Sequence, residues 1–169
     1  MKDKIPFYNI VNMFFVGAVF SMISVTLFED RINIQQEHLT LAKDWSVIVS
    51  ALLIIAMYEV GFIINRLSSI IVAPLLSKLK IWPKGKYDID ISEISQSYSK
   101  FQAMITELVL MRSHIMMYFI LTAVAVILHR YMLSSIFMLL VIIFVLAGRK
   151  HNTKINIIRK SHAERYKTK

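Results

Sequence analysis

The 169-residue chain has no cysteine, four glycines, three prolines and only eleven acidic side chains. Without cysteine there is no disulfide framework and no thiolate metal site. So few glycines and prolines exclude a collagen-like or low-complexity linker chain. Charged residues are scarce at 18%, whereas hydrophobic residues reach 56% and the mean hydropathy is +0.57. Soluble domains run at about 25% charged and about 45–50% apolar, so this composition excludes an ordinary water-soluble globule.

Four long apolar runs account for the excess. Residues 5–28 contain no charge. At 1.5 Å per residue, such a run exceeds the roughly 30 Å of a bilayer's hydrocarbon core. It is too long for a signal peptide, and no small-residue cleavage site follows Phe28, so the reading is a retained span. Residues 45–65 form a second span opened by Trp45, and residues 113–128 and 131–148 form a third and fourth. Only His129 and Arg130 separate the last two, which requires a tight helical hairpin.

The twenty Lys and Arg alternate with this topology. Residues 1–4, 66–112 and 149–169 hold seventeen of them. Basic residues resist translocation, so these three segments are predicted to be cytoplasmic, with both termini inside. The formal net charge of +9 then lies beside an anionic leaflet, and direct nucleic-acid binding is not needed to explain it.

The expected fold is an all-α integral membrane protein with four transmembrane helices. Residues 1–66 form the first hairpin, 67–112 cytoplasmic amphipathic and stalk helices, 113–148 the second hairpin, and 149–169 a basic cytoplasmic tail. After the second span, Pro74 should kink or restart the helix. Beyond it Leu75, Leu76, Leu79, Ile81 and Trp82 alternate with Lys78, Lys80 and Lys84. That pattern suits a short amphipathic helix on the inner leaflet with Trp82 at the boundary, or the core helix of a small cytoplasmic cap.

Ile91, Ile94, Tyr98, Phe101, Ile105 and Leu108 follow at steps of 3, 4, 3, 4 and 3. This heptad spacing puts all six on one seam. Asp90 and Glu93 resemble a capping box, so the third helix is expected to start near Asp90 and extend below the membrane as a stalk. The seam packs either on a second copy or partner, or on the chain's own tail. That tail, with Arg149, Lys150, Lys154, Arg159, Lys160 and Arg165, reads as a solvated stop-transfer segment. Its alternative is a docking strip for an acidic soluble protein or anionic lipid.

Among polar residues of the spans, Glu59 most needs a reason, since it lies about 21 Å below Trp45 by helical rise. A bridge from Glu59 to Arg112 or His114 would hold two helices together, while Arg66, two turns away, snorkels to the interface. A proton-linked carboxylate or a water-exposed rim residue are the other readings of Glu59. Gly61, Asn65, Ser68 and Ser69 read as a helix-packing face, although no GxxxG occurs. Asn12, Gly17, Ser21, Ser24 and Thr26 suit a helix contact or a narrow wet path. The third and fourth spans are almost purely aliphatic and aromatic and read as lipid-facing. The outer connection, residues 29–44, reads as a solvated, mildly acidic loop.

No paired acids, nucleophile with a histidine in reach, HExxH or phosphate-binding loop is present, which argues against an enzyme and against a cofactor. The histidines at 38, 114, 129, 151 and 162 have no metal-ligand spacing.

The segment YEVGFIINRLSSIIVAPLL, residues 58–76, together with the heptad helix and basic tail, resembles small four-span inner-membrane proteins of bacterial phage-defence operons, the membrane subunit of the Kiwa type. The resemblance implies an oligomeric membrane component that works with a soluble, nucleic-acid-directed cytoplasmic partner and senses or transmits an envelope disturbance. The leading expectation is thus a non-enzymatic scaffold or sensor that recruits a cytoplasmic partner. A pore-forming effector or channel is the alternative, and a small proton-coupled transporter using Glu59 the third.

Overall fold

The structure is a computed structural model that describes residues 7–28, 46–82 and 101–167. Among the described residues it is all helix and turn. In chain order these are α1 (Phe7–Phe28), α2 (Ser46–Leu67), a π-helical turn (Ser68–Val72), α3 (Ala73–Lys78), α4 (Phe101–Ile127) and α5 (Tyr131–Lys167). Four helical stretches, Ile10–Phe28, Ser46–Lys78, Phe101–Ile127 and Tyr131–Glu164, are long and apolar enough to cross a membrane.

The helix does not restart at Pro74: Ser46–Lys78 is one continuous helical stretch. Leu67, Val72 and Ala73 all keep right-handed helical dihedrals, so α2, the π turn and α3 form one rod. Proline has no N–H to offer the carbonyl four residues back, and its ring crowds that carbonyl. The helix absorbs both defects by widening one turn: Ala73 N–H bonds to Ser68 O, five residues back.

The rod ends in a tight cap. Ile81 N–H bonds to Leu76 O at 3.0 Å, Lys80 N–H bonds to Ser77 O at 3.1 Å, and Lys80 is left-handed at φ 56°. The α4–α5 turn repeats the motif, with Arg130 N–H to Ala125 O at 2.8 Å, His129 N–H to Val126 O at 2.9 Å and His129 at φ 57°. Both are Schellman caps with a side chain where glycine is preferred. Lys80→Gly is therefore expected to raise stability by about 1 kcal/mol, since a left-handed backbone costs an L-residue about that much. A higher midpoint in thermal unfolding of the detergent-solubilised protein checks this.

The third span is not the peripheral helix its composition implied. α4 packs against α1, α2, the π turn and α5. Its Ile115, Met116, Met117, Leu121 and Ala125 form the core with Val16, Leu27, Ile64 and Phe137. A helix apolar on every side can face lipid or protein equally well, and its central place here follows from having packed neighbours on several sides. Outward faces of α1, α2 and α5 carry Phe15, Met22, Leu52, Ile55, Ile63, Leu139 and Leu146, all exposed.

α1 and α2 come into backbone contact at two glycines. A Cβ built on Gly17 would overlap the carbonyl oxygen of Met57, and one on Gly61 would overlap that of Met13. Backbone meets backbone at this crossing.

The last helix does not stop at Gly148. α5 runs on to Lys167, so the segment expected to be a solvated tail is its continuation. There Ile155 and half-buried Ile158 close over Phe101, which is 0% exposed, with Met104, Ile105 and Leu108 around it. Of the predicted seam, Phe101, Ile105 and Leu108 therefore pack on the chain's own C-terminal helix. Ile91, Ile94, Tyr98 and the Asp90–Glu93 cap lie outside the described residues, as does the outer connection.

Candidate functional site

The polar side chains converge where α1, α2, the π turn and α4 meet. Arg112 on α4 reaches the π turn: its Nε donates to Ser68 Oγ at 3.2 Å and its Nη2 to Ser69 Oγ at 2.7 Å. Ser68, fully buried, passes its own proton to Asn65 O at 2.7 Å. Ser113 Oγ lies 3.0 Å from Asn65 Oδ1 and 3.1 Å from Val109 O, sharing one hydroxyl proton between them. Beside this chain of bonds is a cavity of about 50 Å³ lined by Asn12, Val16, Gly61, Asn65, Leu110 and Ser113. Such a volume accommodates about one water, given the roughly 30 Å³ a water occupies in the liquid.

The bridge expected between Glu59 and Arg112 or His114 does not form. Glu59 is exposed and pairs with no described residue. It shares its helix face with Leu52, Ile55 and Ile63, all turned outward. Arg112 instead places two of its donors on hydroxyls, because the π turn presents two consecutive serines to one guanidinium. His114 is buried in an aromatic setting: its ring stacks on Phe144 at 4.7 Å and 13°, with Tyr118 and Phe15 at 6.1 and 6.2 Å. Its Nδ1 lies 2.9 Å from Leu110 O, which assigns the proton to that nitrogen. Arg66 is exposed, with its guanidinium 4.9 Å from the centre of the Phe62 ring.

Trp82 is a second anchor, and the sequence reading misplaced it. Rather than resting at a lipid boundary, it is 7% exposed, and its Nε1 donates to Val145 O at 3.1 Å. Its ring lies against Gly148, where a Cβ would overlap it. A missing side chain at the end of a bulky run was the available signal. Ser113 was also missed. Its signal was a hydroxyl beside Arg112 at the lower end of an apolar span.

Along the far end of α5, Arg149, Lys150, Lys154 and Lys160 are exposed and Arg159 is half-buried. Lys160 faces Glu164 at 3.8 Å. His151 Nδ1 lies 3.3 Å from Glu107 Oε2 across the α4–α5 pair, close enough for an ion pair though not aligned as a hydrogen bond. The side chain of Arg165 lies outside the described residues. No group of three or more metal-ligating side chains occurs among the described residues.

Among the described residues, these features define a helical protein with four helices fit to cross a membrane and a polar knot at one end of them. No protein-family model, curated protein or solved structure matches it.

Proposed function

We propose that this protein is a non-enzymatic, oligomeric scaffold or sensor of a bacterial inner membrane, threaded four times with both ends in the cytoplasm, that recruits or signals to a soluble cytoplasmic partner. The observation that carries the reading is the α4–α5 pair. Both helices continue past their apolar stretches and close on Phe101 and Ile155 while Arg149, Lys150, Lys154 and Lys160 stay outside. From Gly148 to Lys167 the projection is about 28 Å. A two-helix stalk with cations on its outer face is suited to presenting a surface to an acidic protein, and a setting in phage defence follows the resemblance of residues 58–76.

Oligomerisation gives Glu59 a place. A carboxylate on an aliphatic face in hydrocarbon costs several kcal/mol unless it is hydrated, protonated or partnered. A contact between copies along α2 would supply the partner. The same position favours one second reading, a pore in which several copies turn Glu59 toward a common axis. Within one chain the cavity beside Asn65 and Ser113 holds about one water, and Glu59 is not among its lining residues, which argues against a path through the monomer.

Two measurements test this. A photocrosslinking residue in place of Lys150 or Lys154 is expected to capture one discrete soluble protein in cells, whereas the same residue in place of Leu139 captures lipid alone. Proteoliposomes are expected to be electrically silent. Conductance that Glu59→Gln abolishes would move the assignment to a pore, and cleavage of the tail by protease outside intact cells would overturn the topology.

A further inference from the structure

We infer that Arg112, Ser69 and Arg66 form a binding site for the phosphate of an anionic phospholipid headgroup in the inner leaflet. The inference rests on the membrane reading above and adds a specific site to it.

Arg112 is half-buried, and its partners among the described residues are two neutral hydroxyls. A guanidinium has five N–H donors, so three are left by the described residues after Ser68 and Ser69 are served. No carboxylate among the described residues pairs with it. A partly desolvated cation without a counter-ion is costly. The remaining fork is therefore suited to an external anion with oxygen acceptors in its plane, and phosphate has that geometry.

Arg66 supplies the second cation. It lies three residues before Ser69, one turn away on the same helical face, and is exposed with no acidic partner among the described residues. Its guanidinium rests over the Phe62 ring at 4.9 Å, one turn in the other direction, and has to rotate off that ring to join Ser69 at a phosphate. Ser69 stands one turn after Arg66 in the helix and touches Arg112 directly. Its oxygen accepts from Arg112, which leaves its proton available for a phosphate oxygen.

Position selects the source of the phosphate. Arg66 is the first cation below the apolar length of α2, and Arg112 the last before that of α4. Both stand where a span meets the inner headgroups, and each basic group at that level contributes about 1 kcal/mol of attraction to an anionic leaflet. The Lys154 and Lys160 cations lie further along the stalk and attract the surface without gripping a headgroup.

The test uses the full chain in detergent, with retained lipid read by native mass spectrometry after adding phosphatidylglycerol or phosphatidylcholine of the same acyl chains. The expected result is preferential retention of phosphatidylglycerol. Arg66→Gln should reduce that preference roughly fivefold, the factor equivalent to one basic group. Ser69→Ala should reduce it by less, and Arg112→Lys should reduce it although the charge is kept, because the fork is lost. Lys154→Gln should leave it unchanged. Arg66→Gln and Ser69→Ala alter exposed side chains, so they report even if Arg112→Lys folds poorly. Equal retention of the two lipids, or a preference that follows Lys154 and ignores Arg66 and Ser69, would overturn the site. Inorganic phosphate alone, displacing phosphatidylglycerol at equal concentration, would identify a soluble anion as the ligand and overturn the lipid assignment. A chain recovered from water without detergent would overturn the membrane reading itself, whereas a detergent-dependent chain indifferent to headgroup overturns this site only.

Discussion

Gly17→Ala and Gly61→Ala are each expected to destabilise the protein, a sign opposite to the usual one. In a free helix interior, replacing glycine by alanine gains about 1 kcal/mol of helix propensity. Here the new methyl group falls on a backbone carbonyl, that of Met57 in one case and of Met13 in the other. A side-chain tip could rotate away, but a helix backbone can only move as a whole. The two helices must separate, and the contacts of Val16 and Ile64 on either side loosen with them. Overpacking of this kind costs about 1–3 kcal/mol or more. The net effect expected is a loss of about 2 kcal/mol for each alanine, and more for valine, read as a lower midpoint in SDS-induced unfolding of the detergent-solubilised protein. Because both methyls push the same pair apart, the double variant should lose less than the sum of the singles. A neutral or stabilising Gly17→Ala would mean that the helices do not meet there.

That crossing also marks how far the sequence could be read. The charge-free run 5–28 and the other apolar stretches announce helices by length alone, since few alternatives satisfy so many consecutive apolar residues. Which helices touch is a different question. One glycine from each of two helices forms the crossing, and neither helix carries a GxxxG that would announce it. Ile115, Met117 and Leu121 face the core while Ile142, Ile143 and Leu146 face outward, yet the residue types are the same. Apolar side chains gain similarly from lipid and from protein, so the pattern that sorts faces in a soluble helix is weak here. Glu59 and Arg112 offered an obvious charge pairing, but a pairing needs facing helices, and Glu59 points away from α4. The serines that Arg112 chooses instead depend on the π turn. Pro74 signals a disturbance at that point, while its resolution as one widened turn depends on local carbonyl geometry. Trp82 shows the same limit: an amphipathic ring belongs at an interface, and a glycine across a helix gap makes a protein interface as suitable as a lipid one.

Phe101→Asp is expected to open the stalk and leave the apolar bundle closed. Phe101 is completely buried, and it meets Ile155 and Ile158 of α5 together with Met104, Ile105 and Leu108 of its own helix. Truncating a buried phenylalanine to alanine costs about 3–5 kcal/mol. A carboxylate adds the cost of desolvation inside an apolar cluster. The core around Met117, Leu121 and Ala125 belongs to a separate cluster. Hydrogen exchange should therefore separate the two regions. Amides of Ile155 and Ile158 lose protection in the variant while those of Met117 to Ala125 keep it. Deleting residues 150–169 removes Ile155 and Ile158 and should expose the same Phe101 face to protease, an outcome a merely solvating tail would not produce. Lys154→Glu, on the outer face of the same helix, serves as the control: it changes charge without touching Phe101, so the stalk should stay closed. If the seam instead joined two chains, Phe101→Asp would split the oligomer while exchange within each monomer stayed as it was. Protection of Ile155 unchanged in an intact monomer would therefore exclude the intramolecular zipper, because a buried charge cannot leave the apolar residues packed on it undisturbed.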